Sequence, residues 1–560
     1  MTDTRSLNIL IGGEAGQGLV TLGHLLSKML VRRGFRIVVS QDYQSRIRGG
    51  HNTFRIRASS SEISAPEERI DLLVALNPET FELHHASLRE GGYILASEKH
   101  SIDHARCLAV PYKELAGNPR YDNTVALGIS CALLGLPKDA AASAVESAFG
   151  RKEASVVEAN EAALSRAYEW AGARRIDRLG EPEGGAARMM QNGNEAIALG
   201  ALAAGLKFYA FYPMTPATSI ALTLAAHSRR MGVVVEQVED EIAAINMAIG
   251  ASYAGAPSMV GTSGGGFALM VEGVSLAAMT ETPIVIVVSQ RPGPATGLPT
   301  RTEQADLELV LHAGHGEFPR AIFAPGTVEQ CFSLAHKAMH LAERVQGPIF
   351  ILTDQYLADS YRSVEPFDLS RLKPVSPGMD PKSAGADYLR HRMMPDGISP
   401  RLLPGACERL VVTDSDEHTE DGHITEDLSV RKRMVEKRHA KMGAMMSELV
   451  LPTYAGDEAA ELLMVCWGST RGIVDEAAAS MRAEGRSVAV MHFSQVWPLD
   501  PAQFLGRLQA AKRVAAVEGN STAQFARLVR RESGFEIKER VLRYDGLPIT
   551  PDYILKALES

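Results

Sequence analysis

The sequence predicts an α/β protein made of several parallel-sheet domains. Its 560 residues exceed what one ordinary core accommodates, so the chain must divide into several folding units. Short β-branched runs alternate with helical patterns along three stretches, which is the signature of parallel sheets covered on both faces. Apolar residues make up 45% of the chain and charged residues 22%, enough apolar material to fill a core in each stretch.

The first stretch covers residues 1–180. Residues 7–11 read as a buried strand, 19–33 as an amphipathic helix and 37–39 as a second strand. A Gly/Pro/Glu-rich segment at 180–185 reads as a linker. The second stretch, 190–365, offers strands at 208–212, 233–235, 258–262, 284–289 and 349–353. Ala-rich helices separate them, and the one at 242–253 is small and apolar nearly all round. Such a helix is expected to be buried against other elements or another subunit. Residues 366–455 change texture: prolines, a polar run at 414–423, then a charged helix at about 428–445. A connection of this length implies a functional or interface role. The last stretch, 456–560, resumes the strand–helix–strand pattern at 462–466, 470–483 and 487–491.

Composition excludes several classes. The formal charge is −9 with no Lys/Arg-rich run and no aromatic-basic stripe, which argues against nucleic acid as a partner. No apolar run approaches the roughly 20 residues of a membrane helix. Met1 leads almost directly into a strand, without a basic segment or cleavage site, so a cytoplasmic location is expected. The five cysteines, Cys107, Cys131, Cys331, Cys407 and Cys466, form no C-x-x-C unit. Neither a disulfide framework, nor a metal site, nor an iron–sulfur ligand set is visible in this chain.

Chemistry-bearing motifs sit where strands end. The run Gly12-Gly13-Glu14-Ala15-Gly16-Gln17-Gly18 lies between a strand and a helix; it is either an anion-binding turn or tight helix–sheet packing. In Tyr212-Pro213-Met214-Thr215-Pro216 two prolines hold an extended loop, and Thr215 presents a hydroxyl at the sheet edge. Glu239-Asp240-Glu241 opens a helix: the first two suit a solvated cap, whereas Glu241 abuts an apolar helix and is expected to face a dry cleft. A further strand-to-helix turn rich in glycine is Val260-Gly261-Thr262-Ser263-Gly264-Gly265-Gly266-Phe267. The segment from Ser289 to Gln304 begins at the end of an apolar strand, and Arg291 offers a planar fork suited to a carboxylate. Taken alone, an arginine at a strand end is more often a surface ion pair.

Together these motifs resemble the 2-oxoacid:ferredoxin oxidoreductases, with the gamma and alpha parts fused in one chain. The G-x-x-G-Q-G turn and Arg46-Ile47-Arg48-Gly49-Gly50-His51-Asn52 look like the gamma domain. The Y-P-x-T-P loop, the E-D-E helix start and the R-P-G-P-x-T-G-L-P-T-R-T-E-Q run look like the alpha domain, which binds the pyrimidine of thiamine diphosphate. Cys466-Trp467-Gly468-Ser469-Thr470 and Trp497-Pro498-Leu499 resemble the transketolase C-terminal-like domain. The resemblance implies that Glu241 bonds the aminopyrimidine and so activates the cofactor. It implies cofactor contacts from Tyr212, Pro213 and Thr215, and a 2-oxoacid carboxylate held by Thr215, Arg291 and Thr300. Glu14-Ala15 departs from the family pattern, which often has a basic residue and glycine there.

Thiamine enzymes anchor the diphosphate through Mg²⁺ with a Gly-Asp-Gly motif, and this triplet is missing from the chain. In the family the diphosphate, Mg²⁺ and a 4Fe–4S cluster belong to a beta subunit, so the chain is expected to supply half of an active site. The expected assembly is (αβ)₂, with ferredoxin as acceptor and CoA as co-substrate. The fused order and Gly422-His423-Ile424-Thr425-Glu426-Asp427 look most like the 2-oxoglutarate branch, with pyruvate or another 2-oxoacid as the alternative. A second carboxylate would need a further cation, for which Arg301, Arg46 and Arg48 are candidates. A thiamine-dependent carboligase would share the chemistry but should carry its own diphosphate motif. A nucleotide-binding or acyl-CoA-ligase-type protein leaves 212–216 and 291–304 unexplained.

Overall fold

Continuous apolar runs became the most enclosed strands of the structure, a computed structural model that describes residues 6–44, 49–150, 152–176, 179–182 and 187–559. The chain divides into two compact units. One is Met1–Gln191 with Asp359–Pro366 and Thr550–Asp552; the other is Asn192–Ala358 with Phe367–Ile549 and Tyr553–Ser560. Both are α/β, and among the described residues no helix is long and apolar enough to cross a membrane.

In the first unit eight strands form one sheet, in the order Cys107–Val110, Leu88–Ser97, Ile70–Ala75, Ser6–Ala15, Gly49–Ser59, Arg36–Asp42, Arg362–Val364 and Met189–Gln191. The first four are parallel. Gly49–Ser59 then runs antiparallel to both neighbours, with Ile56 opposite Ile9 on one side and Val39 on the other. This sheet is therefore mixed rather than wholly parallel. Only six residues join Arg36–Asp42 to Gly49–Ser59, too few for a parallel crossover, so the two must pair as a hairpin. The expected linker at 180–185 falls partly outside the described residues, and Arg46 and Arg48 do so entirely.

The second unit holds a seven-stranded sheet ordered Gln495–Trp497, Ala321–Phe323, Pro348–Asp354, Ile284–Gln290, Ser258–Thr262, Phe208–Phe211 and Val234–Gln237. All neighbours are parallel except the first pair. Ile284–Gln290 and Pro348–Asp354 are buried at every residue, as a strand covered on both faces requires. Each buried Val or Ile there contributes about 1.5–3 kcal/mol. A five-stranded sheet follows, ordered Thr453–Ala455, Val488–Phe493, Leu462–Trp467, Arg513–Glu518 and Glu539–Leu542. Ile286, Phe350, Leu463, Trp467 and Phe525 belong to one core, so the two sheets of this unit share their apolar interior.

The long connection is held by charge. The helix Leu428–Ser447, capped by Asp427, sends Lys437 and Lys441 to the buried carboxylate of Glu281. Arg390 donates to the Glu281 carbonyl at 2.7 Å, and Arg438 to Glu417 at 2.8 and 3.0 Å. Burial opposes ionisation of Glu281, but Lys441, Lys437 and His391 outweigh it and hold the carboxyl well below its usual range.

Candidate active site

Loops at the carboxyl ends of the parallel strands carry the expected site residues, where α/β sheets place their ligands. After Phe208–Phe211 comes the Tyr212–Pro216 loop. Tyr212 and Pro213 are exposed, Thr215 is half-buried, and the Thr215–Pro216 peptide is cis. Asn194, in the first turn of the helix Gly193–Ala203, pins this loop: its Nδ2 donates to the Pro216 carbonyl at 2.7 Å and to Ser219 Oγ at 2.8 Å. From the next-but-one strand, Arg291 Nη1 donates to the Thr215 carbonyl at 2.8 Å. Thr215 and Arg291 are thus brought together, although the contact uses the threonine backbone. Arg291 makes no ion pair among the described residues, so its remaining donors are open to a carboxylate.

The acidic run divides by position. Glu239 and Asp240 are exposed, and Asp240 caps the helix Glu241–Tyr253 by accepting from Ala243 N at 2.7 Å. Glu241, one residue further, is 3% exposed. Its Oε1 has no hydrogen-bond partner among the described residues, nor do Thr262 Oγ1 and Ser263 Oγ at the end of Ser258–Thr262. Three buried oxygens without partners are costly unless something polar meets them. That donor set fits the amino and ring nitrogens of an aminopyrimidine.

The helix Gly264–Met279 explains why its first residues lack side chains. A Cβ on Gly266 would stand 2.9 Å from Glu241 Cδ and closer still to Thr262 Oγ1; on Gly264 it would stand 2.6 Å from Asp306 Oδ1. On Gly265 it would meet only the Ala295 carbonyl, at 3.6 Å. Two carboxylates and the Arg291 loop therefore converge on three consecutive residues of one helix start. The loop turns tightly there: Gly293–Pro294 is cis, and Ala295 and Gly297 have φ of 55° and 52°. Thr300, further along, is buried at 9% exposure. The far end is anchored by Gln304, whose Nε2 donates to the Trp467 carbonyl at 3.0 Å and whose Oε1 accepts from Gly519 N at 2.9 Å. Its backbone N donates to the Gly519 carbonyl at 2.6 Å.

Asp306 escaped the motif reading, because it lies two residues past the end of the recognised run; Thr262, Ser263 and Glu303 lie inside recognised motifs, but no role was read for them. Burial pushes the Asp306 carboxyl up to about 6, against the pull of Arg291. Glu303 is pushed up to about 7 by burial and by its neighbour Asp306.

Two other polar clusters lie elsewhere. In the first unit the Gly12–Gly18 turn borders a cleft of about 840 Å³ whose lining includes Gln17, Lys99, Lys113, Arg120 and Asn123, a lining suited to an anion. Glu281, His391 and His418 have ligand atoms within 4.8 Å of one another. The two lysine ammonium groups on Glu281 make this an ion-pair network that would repel a metal cation.

The family model described as "Pyruvate flavodoxin/ferredoxin oxidoreductase, thiamine diP-bdg" matches residues 199–437, and that described as "Pyruvate ferredoxin/flavodoxin oxidoreductase" matches 8–170. The 2-oxoacid:ferredoxin oxidoreductase subunit alpha of a Sulfolobus species is 31% identical over 99% of this chain and 96% of its own length. The 2-oxoglutarate oxidoreductase subunit KorA of Mycobacterium tuberculosis is 28% identical, covering 98% and 90%. Among solved structures, the 2-oxoglutarate:ferredoxin oxidoreductase of Magnetococcus marinus, with 2-oxoglutarate, coenzyme A and succinyl-CoA bound, is 30% identical with a TM-score of 0.92, covering 99% of both chains. The chain therefore belongs to the 2-oxoacid:ferredoxin oxidoreductases and is an alpha subunit of that family, with a thiamine-diphosphate-binding domain.

Proposed function

We propose that this subunit works on 2-oxoglutarate, converting it with CoA to succinyl-CoA and carbon dioxide and passing electrons to ferredoxin. The observation that carries the site reading is the buried, partnerless Oε1 of Glu241 above Gly266, with the Arg291 loop one residue away. Thiamine diphosphate, when bound, supplies the electron sink for the carbon–carbon bond that breaks. Glu241, Thr262 and Ser263 would hold its aminopyrimidine, with Tyr212, Pro213 and Thr215 lining the approach. Glu241 exchanges a proton at Oε1, Arg291 grips the carboxylate beside the keto group with help from Thr215 and Thr300, and the loop excludes water. General acid–base exchange of this kind contributes about 10²–10⁴-fold.

The second half of the site belongs to a beta subunit carrying the diphosphate anchor, Mg²⁺ and a 4Fe–4S cluster. The elements that bear the site support this, because they expose large apolar side chains: Leu222, Val234, Ile242, Met247, Leu269 and Leu298 are 43–66% exposed. Apolar surface of this extent is characteristic of a protein interface. The 242–253 helix is covered on one side and leaves Ile242 and Met247 open, which suits the expected packing against another subunit. We assign residues 1–180 to a gamma-type domain, 190–365 to the pyrimidine-binding domain, 366–455 to the connection and 456–560 to the transketolase C-terminal-like domain. An (αβ)₂ assembly in the cytoplasm completes this reading.

The choice of 2-oxoglutarate rests on likeness to the Magnetococcus marinus and Mycobacterium tuberculosis proteins. The test is kcat/KM of the assembled complex for 2-oxoglutarate, pyruvate, 2-oxobutyrate and indolepyruvate, with a viologen dye as acceptor. Preference for pyruvate would overturn the substrate and leave the site reading intact. Turnover by this chain alone would overturn the shared site.

A further inference from the structure

Arg320, in the second unit, is a buried cation without a counter-ion. It immediately precedes the strand Ala321–Phe323 and is 6% exposed. Its guanidinium lies 4.5 Å from the Phe318 ring centroid and 5.9 Å from that of Phe350, and Nη1 donates to the Val310 carbonyl at 2.9 Å. Among the described residues Arg320 makes no ion pair, and its Nε and Nη2 make no hydrogen bond. Burial pushes the guanidinium down to about 10, and no carboxylate opposes it. Proteins seldom bury a charge unpaired, because desolvation costs more than stacking on aromatic rings returns.

The side chain forms part of the wall of a cleft of about 430 Å³, together with Leu311, His312, Met442, Trp497 and Arg531. Ala321–Phe323 runs parallel to Pro348–Asp354, so Arg320 stands at the amino end of its strand, whereas Glu241 and Arg291 follow strand carboxyl ends. Trp497 arrives on the strand Gln495–Trp497, paired with Ile322. Met442 comes from the charged helix Leu428–Ser447, and Arg531 from the helix Gln524–Ser533. The cleft therefore shares no residue with the site that carries Glu241 and Arg291.

The other polar groups around it already have partners. Arg531 Nε donates to Glu532 at 2.7 Å, and its guanidinium lies 5.4 Å from the Trp497 ring centroid. Its Nη1 lies 3.1 Å from His312 Nε2, while His312 Nδ1 lies 3.0 Å from the Glu308 carbonyl. A carbonyl only accepts, so Nδ1 carries the hydrogen, Nε2 accepts from Arg531 and the ring is neutral. His439 stands 4.0 Å from the exposed Glu317 carboxylate. Arg320 is the charge left over.

We propose that this cleft binds a small organic acid, with one carboxylate on Nε and Nη2 of Arg320 and an apolar body against Leu311, Met442 and Trp497. These two nitrogens form the edge of the guanidinium that meets a carboxylate with two parallel hydrogen bonds. One surplus cation matches one negative charge, whereas a polyphosphate would bring charge that nothing around the cleft offsets. A mostly apolar cleft of this volume, with one well-placed polar group, is of the kind that holds small molecules.

The experiment uses the assembled holoenzyme and calorimetric titration with 1-naphthylacetate, its neutral amide 1-naphthylacetamide, acetate and inorganic phosphate. The acid should bind once per chain, at least about tenfold more tightly than the amide, acetate or phosphate, since a charge-assisted pair adds this much. Arg320→Gln should weaken the acid at least about tenfold and leave the amide unchanged. Arg291→Lys should leave the acid unchanged, which separates this cleft from the substrate site. Met442→Trp keeps Arg320 and fills the cleft, so it should also weaken the acid at least about tenfold, and it carries the test should Arg320→Gln fail to assemble. Equal binding of acid and amide, phosphate binding as tight as the acid, or full affinity in Arg320→Gln or Met442→Trp would overturn the proposal. Absence of saturable binding to the holoenzyme would overturn it as well, including the case in which a partner chain fills the cleft.

Discussion

Placing a methyl group in turn on Gly264, Gly265 and Gly266 tests the site at single-residue resolution. At Gly266 the new Cβ would lie 2.9 Å from Glu241 Cδ, whereas ordinary contact begins at 3.4 Å, so the carboxyl must retreat by about 0.5 Å and its Oε1 by more. Overpacking of this kind costs about 1–3 kcal/mol of stability. Its effect on chemistry is of similar size, because a misplacement near 1 Å costs about 10²-fold in rate, or about 2.7 kcal/mol. Gly265→Ala is the control: its Cβ meets only the Ala295 carbonyl at 3.6 Å, and Gly→Ala in a helix stabilises by about 0.4–1 kcal/mol. Gly264→Ala presses on the Asp306 carboxylate instead. Dye reduction by the assembled complex and thermal unfolding of each variant give both readouts. Gly266→Ala should lose about 30–100-fold in kcat, and Gly265→Ala should stay within about threefold. Equal behaviour of these two variants would refute the convergence of Glu241 on this helix start.

Three further outcomes are expected. Glu241→Gln keeps shape and removes the carboxyl proposed to exchange a proton with the cofactor, so turnover should fall about 10²–10⁴-fold while Glu239→Gln stays within about threefold, measured on the assembled complex. Arg291→Lys replaces a fork by a point charge and should raise KM at least about tenfold for every 2-oxoacid tried in the dye assay. Glu281→Gln leaves Lys437 and Lys441 buried without their counter-ion and should cost about 3–5 kcal/mol in denaturant unfolding. The folded pKa of Glu281 is depressed, so its contribution is complete above the ordinary value of 4.5 and is lost as pH falls below it; the variant and wild type should converge in acid.

The sequence was most readable where one local rule decided the outcome. The run at 284–288 is apolar throughout, that at 258–262 consists of small and apolar residues, and both lie inside the parallel sheet to within a residue of the expected ends. The separation of a capping Asp240 from a buried Glu241 follows from which residue abuts the apolar helix. Gly49–Ser59 was not readable, because its arginines alternate with apolar residues in an antiparallel pairing set by a partner on each side. Ala321–Phe323 and Gln495–Trp497 are three residues each; the second pairs only with the first, across more than 170 positions, and the first is held by Pro348–Asp354 on its other side. Glu281 with Lys437 is a matter of distance along the chain: 156 residues separate them, and nothing local marks either as a partner. Asp306 was missed for a different reason. Its importance comes from touching Gly264, a contact between side chain and helix start that no spacing rule encodes.

Gln304 uses both its backbone and its side chain to hold the Arg291 loop against Trp467, Gly519 and Asn520. The strands Leu462–Trp467 and Arg513–Glu518 end at or next to those residues, so the loop proposed to grip the substrate is calibrated by a sheet that is assigned no reacting group. Fluctuations that open this sheet locally would unseat the loop while the rest of the molecule stays folded. On heating, binding of the 2-oxoacid should consequently fade before the main melting transition, making catalytic output a gauge of the integrity of the five-stranded sheet.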